Sequence, residues 1–342
     1  MQQSSVWFNR ALSSISFSIE AIRLAEMPNE QIRVITSHSR KDFPARLVSD
    51  VFEQEPLSLD DHSCVPYCLD FVKRHQVDIL IPTYWADTLA DHRDEFSALG
   101  CNLLSVADPA TLKIIKNKVA LYQTIGPGVV PIFEYEIAGD AGAFRIACEK
   151  LLEKYEIICF KPTTGLGGRG FCVIARDGRE LRSPWDGLVF STTVDEAVSS
   201  LSMPETFKEQ MLMPYLKGQE RSIDCLADGG RLAAAIVRVK SYDGADELIE
   251  ANPQLVEYAR NLTSRLKLSG LYNVQFMESD GSHYFLEINS RLAGGVHYGS
   301  VSGVCLPYWA IRLANGTARL EDVPVPKTGI RVDRKTRLVI PS

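Results

Sequence analysis

Apolar and polar positions follow two different rhythms along this chain, and the change falls near position 108. Over the first hundred residues, short apolar runs (Ser5-Val6-Trp7-Phe8, Ile32-Arg33-Val34-Ile35 and Val77-Asp78-Ile79-Leu80-Ile81) alternate with longer periodic stretches such as the one through Ile19-Glu20-Ala21-Ile22. Short runs predict strands and periodic stretches predict helices, so 1–107 are expected to form a small parallel αβ lobe. Asp108-Pro109 supplies a helix N-cap with proline in the first turn; the helix it opens is expected to pass through Lys118 and Leu121 and stop near Gly126-Pro127-Gly128. Further on, helices mix with runs punctuated by Asp228-Gly229-Gly230 and Asp280-Gly281, turn residues that suit antiparallel hairpins. The expected organisation is three parts, 1–107, 108–212 and 213–342, in an α/β chain with an α+β core. Thr328 to Ser342 offers one or two short strands and a frayed end.

Composition narrows the class. With 342 residues and 45% hydrophobic content, the chain should bury two or three separate apolar layers. A net charge of -6 without any Lys/Arg block argues against a nucleic-acid surface and leaves local basic residues to meet small anions. No apolar run approaches the ~20 residues that span a bilayer, and Met1 to Arg10 is too short and polar for a signal peptide, so the expected compartment is the cytoplasm. The 8 cysteines are dispersed in apolar segments such as Ile157-Ile158-Cys159-Phe160 and read as core residues. His62, Cys64, Cys68 and His75 form a cluster, but Cys64 and Cys68 fall one turn apart on an amphipathic stretch, which burial explains without zinc.

The segment richest in chemistry is Lys161-Pro162-Thr163-Thr164-Gly165-Leu166-Gly167-Gly168-Arg169-Gly170, directly after an apolar strand. It contains a formal G-x-G-x-x-G, yet Phe171-Cys172-Val173-Ile174-Ala175 favours a strand where a dinucleotide fold needs a helix. No Gly-Lys-Ser/Thr follows, which removes a Walker loop. Two readings remain: a plain surface hairpin, or a glycine flap in which backbone N–H groups around Gly167 and Gly168 cover phosphate oxygens while Lys161 supplies charge.

A second hairpin is expected from Tyr272-Asn273-Val274-Gln275-Phe276 through Asp280-Gly281 to Tyr284-Phe285-Leu286-Glu287-Ile288-Asn289. Residues two apart share a strand face, so Glu287 and Asn289 project together. They form either the solvated face of an edge hairpin or an oxygen pair suited to Mg²⁺, which takes few protein ligands. Gln275 joins them only in one register: a two-residue Asp280-Gly281 turn would set it opposite Leu286, on the wrong face, whereas an odd loop or a bulge would set it opposite Glu287.

These segments, in this order, resemble the ATP-grasp superfamily, and above all the carbamoyl phosphate synthetase large subunit and carboxylate-amine ligases, over roughly Asp108 to Gly316. Lys161-Pro162 with the glycine loop is similar to the family's phosphate-covering flap, and Glu287-Ile288-Asn289-Ser290-Arg291 to its Glu-x-Asn-x-Arg signature. Leu212 to Asp224 resembles the hinge and the strand after it. The resemblance implies an ATP-grasp fold behind an N-terminal parallel αβ pre-ATP-grasp lobe. Backbone groups of Met213 and Leu216 would then read adenine, and Glu220 would hold the ribose. Lys118 would be the first phosphate lysine, with Lys113 and Lys116 as nearby alternatives. Gln275, Glu287 and Asn289 would hold two Mg²⁺ ions, or Mn²⁺ in their place, beside ATP. Arg291 would bind the substrate carboxylate or the tetrahedral intermediate, with Gly294 and Gly295 admitting backbone amides nearby.

Three departures stand out. Asn117 replaces an acidic residue, Met213 stands where relatives carry Glu (Glu209 being the alternative), and Arg10-Ala11-Leu12-Ser13-Ser14 replaces a glycine-rich first turn, so no nucleotide is expected in the first lobe. In this family that lobe more often helps to bind the acceptor. The implied reaction is ATP- and Mg-dependent ligation of a carboxylate to an amine through an acyl phosphate, with small-molecule substrates and room for a homodimer. His297 is a candidate proton acceptor, or a structural loop residue. The alternatives are a carbamoyl-phosphate-synthetase-like enzyme acting on bicarbonate or carbamate, and a non-catalytic ATP-binding regulator.

Overall fold

The computed structural model describes residues 2–165, 170–177, 179, 182–183, 187–188, 191–203, 206–240 and 246–333. The first lobe contains Gln2–Asn9 (β1), Glu30–His38 (β2), Val51–Gln54 (β3), Ile79–Pro82 (β4) and Asn102–Leu103 (β5), an all-parallel sheet in the order β3-β2-β1-β4-β5. Ile15–Ala25 (α1), Cys64–His75 (α2), Ala86–Ala90 (α3) and Arg93–Ala98 (α4) accompany it. Both faces of β1 are covered, which is why Val6, Trp7 and Phe8 are apolar in succession rather than in alternation. Val6 and Phe8 pack with Ile15, Ile19 and Ile22, while Trp7 points the other way and stacks on Phe71 of α2 at 3.9 Å. Cys64 and Cys68 are core residues of α2, and His75 at its end pairs with Glu53.

The helix opened by Asp108 is two helices, Pro109–Lys116 (α5) and Lys118–Ile125 (α6). The break is Asn117, whose backbone turns extended to bridge Thr164 while its side chain accepts from the Ala120 N–H at 3.0 Å. A long-range pairing therefore overrides local helix propensity at one residue.

Glu136–Ala138 (β6), Ala141–Lys154 (α7), Ile157–Pro162 (β7), Cys172–Ala175 (β8), the short pair Arg182–Ser183 (β9) and Gly187–Leu188 (β10), Val194–Leu201 (α8) and Gln210–Pro214 (β11) follow. Four of these strands form an antiparallel sheet, β6-β11-β7-β8, backed by α7, while β9 and β10 pair only with each other among the described residues. β11 crosses the expected junction at 212/213, because its ladders with β6 and β7 hold it inside this sheet.

The third sheet, β16-β15-β12-β13-β14-β17, is built from Glu220–Asp228 (β12), Arg231–Lys240 (β13), Asp246–Ile249 (β14), Gly270–Ser279 (β15), Ser282–Asn289 (β16) and Ile330–Asp333 (β17), with Pro253–Arg265 (α9) and Leu306–Ala314 (α10) packed on it. One face joins the second sheet in a core that includes Ile157, Cys159, Met213, Ile223, Val274 and Phe276. The other face is apolar only toward one end, where Leu226, Ile236, Ile249 and Leu271 share a core with Val6, Phe8 and α1. Its remaining part is polar and carries the site. Among the described residues, no helix is long and apolar enough to cross a membrane.

Candidate functional site

The polar face arises from strict alternation. Glu220, Ser222 and Asp224 of β12, Asn273 and Gln275 of β15, Arg238 of β13 and Glu247 of β14 all project from it, while the residues between them enter the core. Ser279 pairs with Ser282, so the Asp280-Gly281 turn has two residues, and Gln275 nevertheless lies opposite Glu287 and Asn273 opposite Asn289. A bulge reconciles the two, since the register shifts between Gln275 and Phe276 and leaves Leu286 as the extra residue. Tyr122 of α6 holds it: the buried hydroxyl lies 2.9 Å from the Phe285 carbonyl oxygen and 3.0 Å from that of Leu286.

Amide orientation follows from acidic anchors. Gln275 donates its amide N–H to Glu220 at 2.9 Å, and Asn273 donates to Asp224 at 2.9 Å and to Ser222 at 2.9 Å. Asn289 directs its amide nitrogen to the Asn273 and Gln275 side-chain oxygens, each at 3.4 Å. The amide donors are thus spent within the network, and the oxygens on this face are the Glu287 carboxylate, the Asn289 amide oxygen and the Gln275 amide oxygen, the last accepting from Asn289. Among the described residues no three His, Cys, Asp or Glu gather as a metal group, and one carboxylate with two amide oxygens fits a hard, water-rich cation such as Mg²⁺.

Opposite this face stands the base of the glycine loop. Lys161 shares its strand face with Ile157 and Cys159, the face turned toward the third sheet. Lys118, 8% exposed, opens α6; its backbone N–H donates to the Thr163 carbonyl at 2.9 Å and its Nζ to the Gly165 carbonyl at 3.1 Å. Burial lowers its pKa, Lys161 lowers it further, and Glu287 opposes the shift. Both lysines and the glutamate therefore occupy one electrostatic neighbourhood. Gly167 and Gly168 lie outside the described residues.

The hinge takes a different register from the expected one. Tyr215 donates to the Ile157 carbonyl at 3.1 Å, so by antiparallel alternation Met213 exchanges both backbone bonds with Cys159. Its backbone is committed to the ladder, its side chain is buried, the Pro214 carbonyl accepts from the Cys159 thiol at 3.7 Å, and Leu216 is the residue that follows the last ladder bond. Gly218 follows because nothing larger fits: a Cβ there would stand 1.7 Å from the Glu278 carbonyl oxygen. Burial raises the Glu220 carboxyl pKa, with Glu287 adding to the rise and Lys240 and the Gln275 bond opposing it.

Arg291 is partly buried and donates to the Leu292 carbonyl at 3.0 Å; burial lowers its pKa and Glu287 opposes that. Gly294 meets the first lobe at Ser14, and Gly295 lies over Arg238, where a Cβ would come within 2.4 Å of Nη1. The structure thus gives Gly295 a packing reason that the sequence did not. His297 stacks against Phe17 at 4.9 Å. The sequence reading missed Asp224, Arg238 and Glu247, a buried set in which Arg238 Nε meets Asp224 at 2.6 Å and Nη1 meets Glu247. The signal for Asp224 was the period-two polar spacing at 220, 222 and 224.

A parallel first lobe followed by two antiparallel sheets, with a lysine-bearing glycine hairpin facing a Glu-x-Asn strand, defines the class: the chain has an ATP-grasp fold. Within that class, 206–338 match the model of the family described as ATP-grasp in the biosynthetic pathway with Ter operon. The chain is also similar to the arginine-specific large chain of carbamoyl phosphate synthase from Geobacillus stearothermophilus, 21% identical over 299 residues, covering 83% of this chain and 26% of that protein. It therefore spans about a quarter of that relative. Among solved structures it is similar to an ADP complex of N5-carboxyaminoimidazole ribonucleotide synthetase (TM-score 0.67, 15% identity, 95% of this chain and 78% of that one). The L-amino acid ligase from Bacillus licheniformis is another (TM-score 0.65, 14% identity, 95% and 78%).

Proposed function

We propose that this protein is an ATP- and Mg²⁺-dependent ligase that phosphorylates a carboxylate and joins the resulting acyl phosphate to an amine, releasing ADP and phosphate. The observation that carries this reading is the register that sets Gln275 opposite Glu287 and Asn273 opposite Asn289 on the polar face, with the Lys118 Nζ bonded at 3.1 Å to the Gly165 carbonyl at the base of the glycine loop. Adenine would lie against the Pro214 to Leu216 segment, and the ribose hydroxyls would donate to Glu220. Lys118 and Lys161 would hold the phosphates, while Glu287, Gln275 and Asn289 would hold Mg²⁺. When bound, the metal neutralises charge on the transferring phosphoryl group.

Arg291 suits the acid, because a planar guanidinium pairs two-pronged with a carboxylate and steadies charge on a tetrahedral intermediate. An acyl phosphate hydrolyses readily in water, so backbone amides of the glycine loop between Gly165 and Gly170 would cover it and exclude solvent. Similarity to an L-amino acid ligase supports an amino acid as one substrate. Similarity to carbamoyl phosphate synthase favours bicarbonate or carbamate as the second reading.

ADP release measured with ATP and Mg²⁺ against a panel of amino acids, small organic acids and bicarbonate separates these readings. Release that requires both an acid and an amine supports ligation. Bicarbonate-dependent release without an amine requirement selects the second reading, and tight nucleotide binding with no turnover indicates a regulator. Glu287→Gln should lower turnover by about a hundredfold or more with the fold intact, since a charge-neutralising ligand is lost. Unchanged turnover would remove Glu287 from the reaction.

A further inference from the structure

A separate cavity lies where the first lobe meets the far end of the third sheet. β12 runs from Glu220 at the candidate site to Asp228 at this cavity, about 26 Å at an ordinary strand rise. The cavity holds about 490 Å³. That volume falls within the range of small-molecule sites, roughly 300–1,000 Å³, and such sites favour junctions between lobes.

Its floor is apolar. Leu103 of β5, Leu226 of β12 and Ala310 of α10 are buried there, and the half-buried Leu313 extends the same surface. One wall is a sheet edge: β5 ends the first sheet, and the Asn102 and Leu104 N–H groups donate inward to the Asp78 and Leu80 carbonyls at 2.7 and 2.9 Å. By parallel alternation, the Leu103 N–H between them points away from β4.

The rim is basic in a chain whose net charge is -6. Arg93 opens α4, Arg231 opens β13 and Arg319 follows α10, so three distant segments each deliver one guanidinium. Arg231 is paired with Glu321 at 2.6 Å. Arg93 and Arg319 have no ion-pair partner among the described residues, and Asp228 is the other carboxylate of the lining. Three guanidiniums thus stand against two carboxylates. Water screens the excess positive charge while the cavity is open. An apolar occupant would displace that water and strengthen the repulsion, so the ligand that fits best brings its own negative charge.

We infer that this cavity binds a small amphiphile, with an apolar chain or ring on the Leu103, Leu226 and Leu313 floor and a carboxylate or phosphate held by Arg93 and Arg319. The site stands apart from the phosphoryl transfer and does not depend on the ligase reading. Because β5, β12 and α10 share its lining, an occupant ties the first lobe to the third sheet.

The test is calorimetric titration of the full chain, kept with a non-hydrolysable ATP analogue and Mg²⁺ in excess so that phosphate-binding groups of the candidate site are filled. Hexyl phosphate, hexanoate, inorganic phosphate and hexanol are the probes. Hexyl phosphate or hexanoate should bind with a Kd below about 1 mM. Each methylene that reaches the floor tightens binding about threefold, so inorganic phosphate should bind at least about tenfold more weakly than hexyl phosphate. Hexanol, which has the chain without the charge, should also be weaker by about tenfold. Arg93→Gln combined with Arg319→Gln should cost the charged amphiphile about tenfold in affinity and leave Tm unchanged, since both side chains are exposed. Binding of hexyl phosphate alone assigns a phosphorylated ligand, and binding of hexanoate assigns a carboxylate-bearing one. No binding by either, hexanol binding as tightly, or an affinity unmoved in the double variant overturns the site. Amide hydrogen exchange on the unaltered protein locates the probe without any substitution. Asn102 to Ser105 and Ser269-Gly270 should exchange more slowly with the charged amphiphile bound, and unchanged exchange in both segments overturns the site.

Discussion

Glu220 shows how a single side chain ties the site to stability. Its carboxyl is held above the ordinary glutamate range, first by burial and then by Glu287. A raised carboxyl pKa means that the folded state prefers the protonated form. Its stabilising contribution is complete below the unfolded value and is lost as pH rises through the folded one. Above the folded value the ionised form of Glu220 costs stability, which a nucleotide ribose would offset by donating to it. Glu220→Gln keeps an acceptor for the Gln275 amide. It is expected to unfold at higher urea than the unaltered protein at about pH 7.5, an advantage that fades below about pH 4, with weaker ATP binding throughout. Urea midpoints at the two pH values check this, and a difference independent of pH would refute the charge argument. Lys118, Lys161, Glu287 and Arg291 were legible as residues because their types and order are unusual together. Arg238 and Asp224 were less so, since a charged residue inside an apolar strand gives no hint of which partner neutralises it.

At the scale of elements, the bulge at Leu286 decides whether the site exists. Hairpin turn length alone would have sent Gln275 to the core side, and the turn does have two residues. The third dimension restores the register: Tyr122, on a helix 163 positions away in the chain, places its hydroxyl on the two carbonyls beside the bulge. Tyr122→Phe leaves those buried carbonyls without that partner, at a cost of about 1–3 kcal/mol. The expected outcome is a lower urea midpoint together with a weaker Mn²⁺ affinity, read by electron paramagnetic resonance in the presence of nucleotide. Lost stability with unchanged Mn²⁺ affinity would show that the metal face does not depend on the bulge. The Asn117 break belongs to the same scale. Pro109 to Ile125 reads as one helix until Thr164 claims the Asn117 backbone, and that pairing places Lys118 under the glycine loop.

Across the whole molecule, two cores meet on the third sheet. One joins it to the glycine-hairpin sheet through Cys159, Met213 and Phe276; the other joins it to the first lobe through Leu226, Ile236 and Val6. A nucleotide held by both Lys161 and Glu287 would bridge two of these layers and stabilise the folded chain by mass action. With a non-hydrolysable ATP analogue and Mg²⁺ at a hundred times Kd, the expected gain is about 2.7 kcal/mol, seen as a raised Tm. Glu287→Gln should lose the Mg²⁺-dependent part of that gain; a Tm indifferent to nucleotide would contradict the proposed site. Local patterning made legible the strands through Val6, Val34, Ile79, Ile158 and Val173, the helices around Ile19 and Cys64, the parallel first lobe, the two hairpins and the identities of the charged residues, because alternation, caps and turn residues act over a few positions. Only the tertiary structure decided the Gln275 register, the split at Asn117, the commitment of the Met213 backbone to Cys159, and the Arg238 clamp. Each of these depends on a partner far away in the chain, and local patterning carries no information about which distant group will arrive.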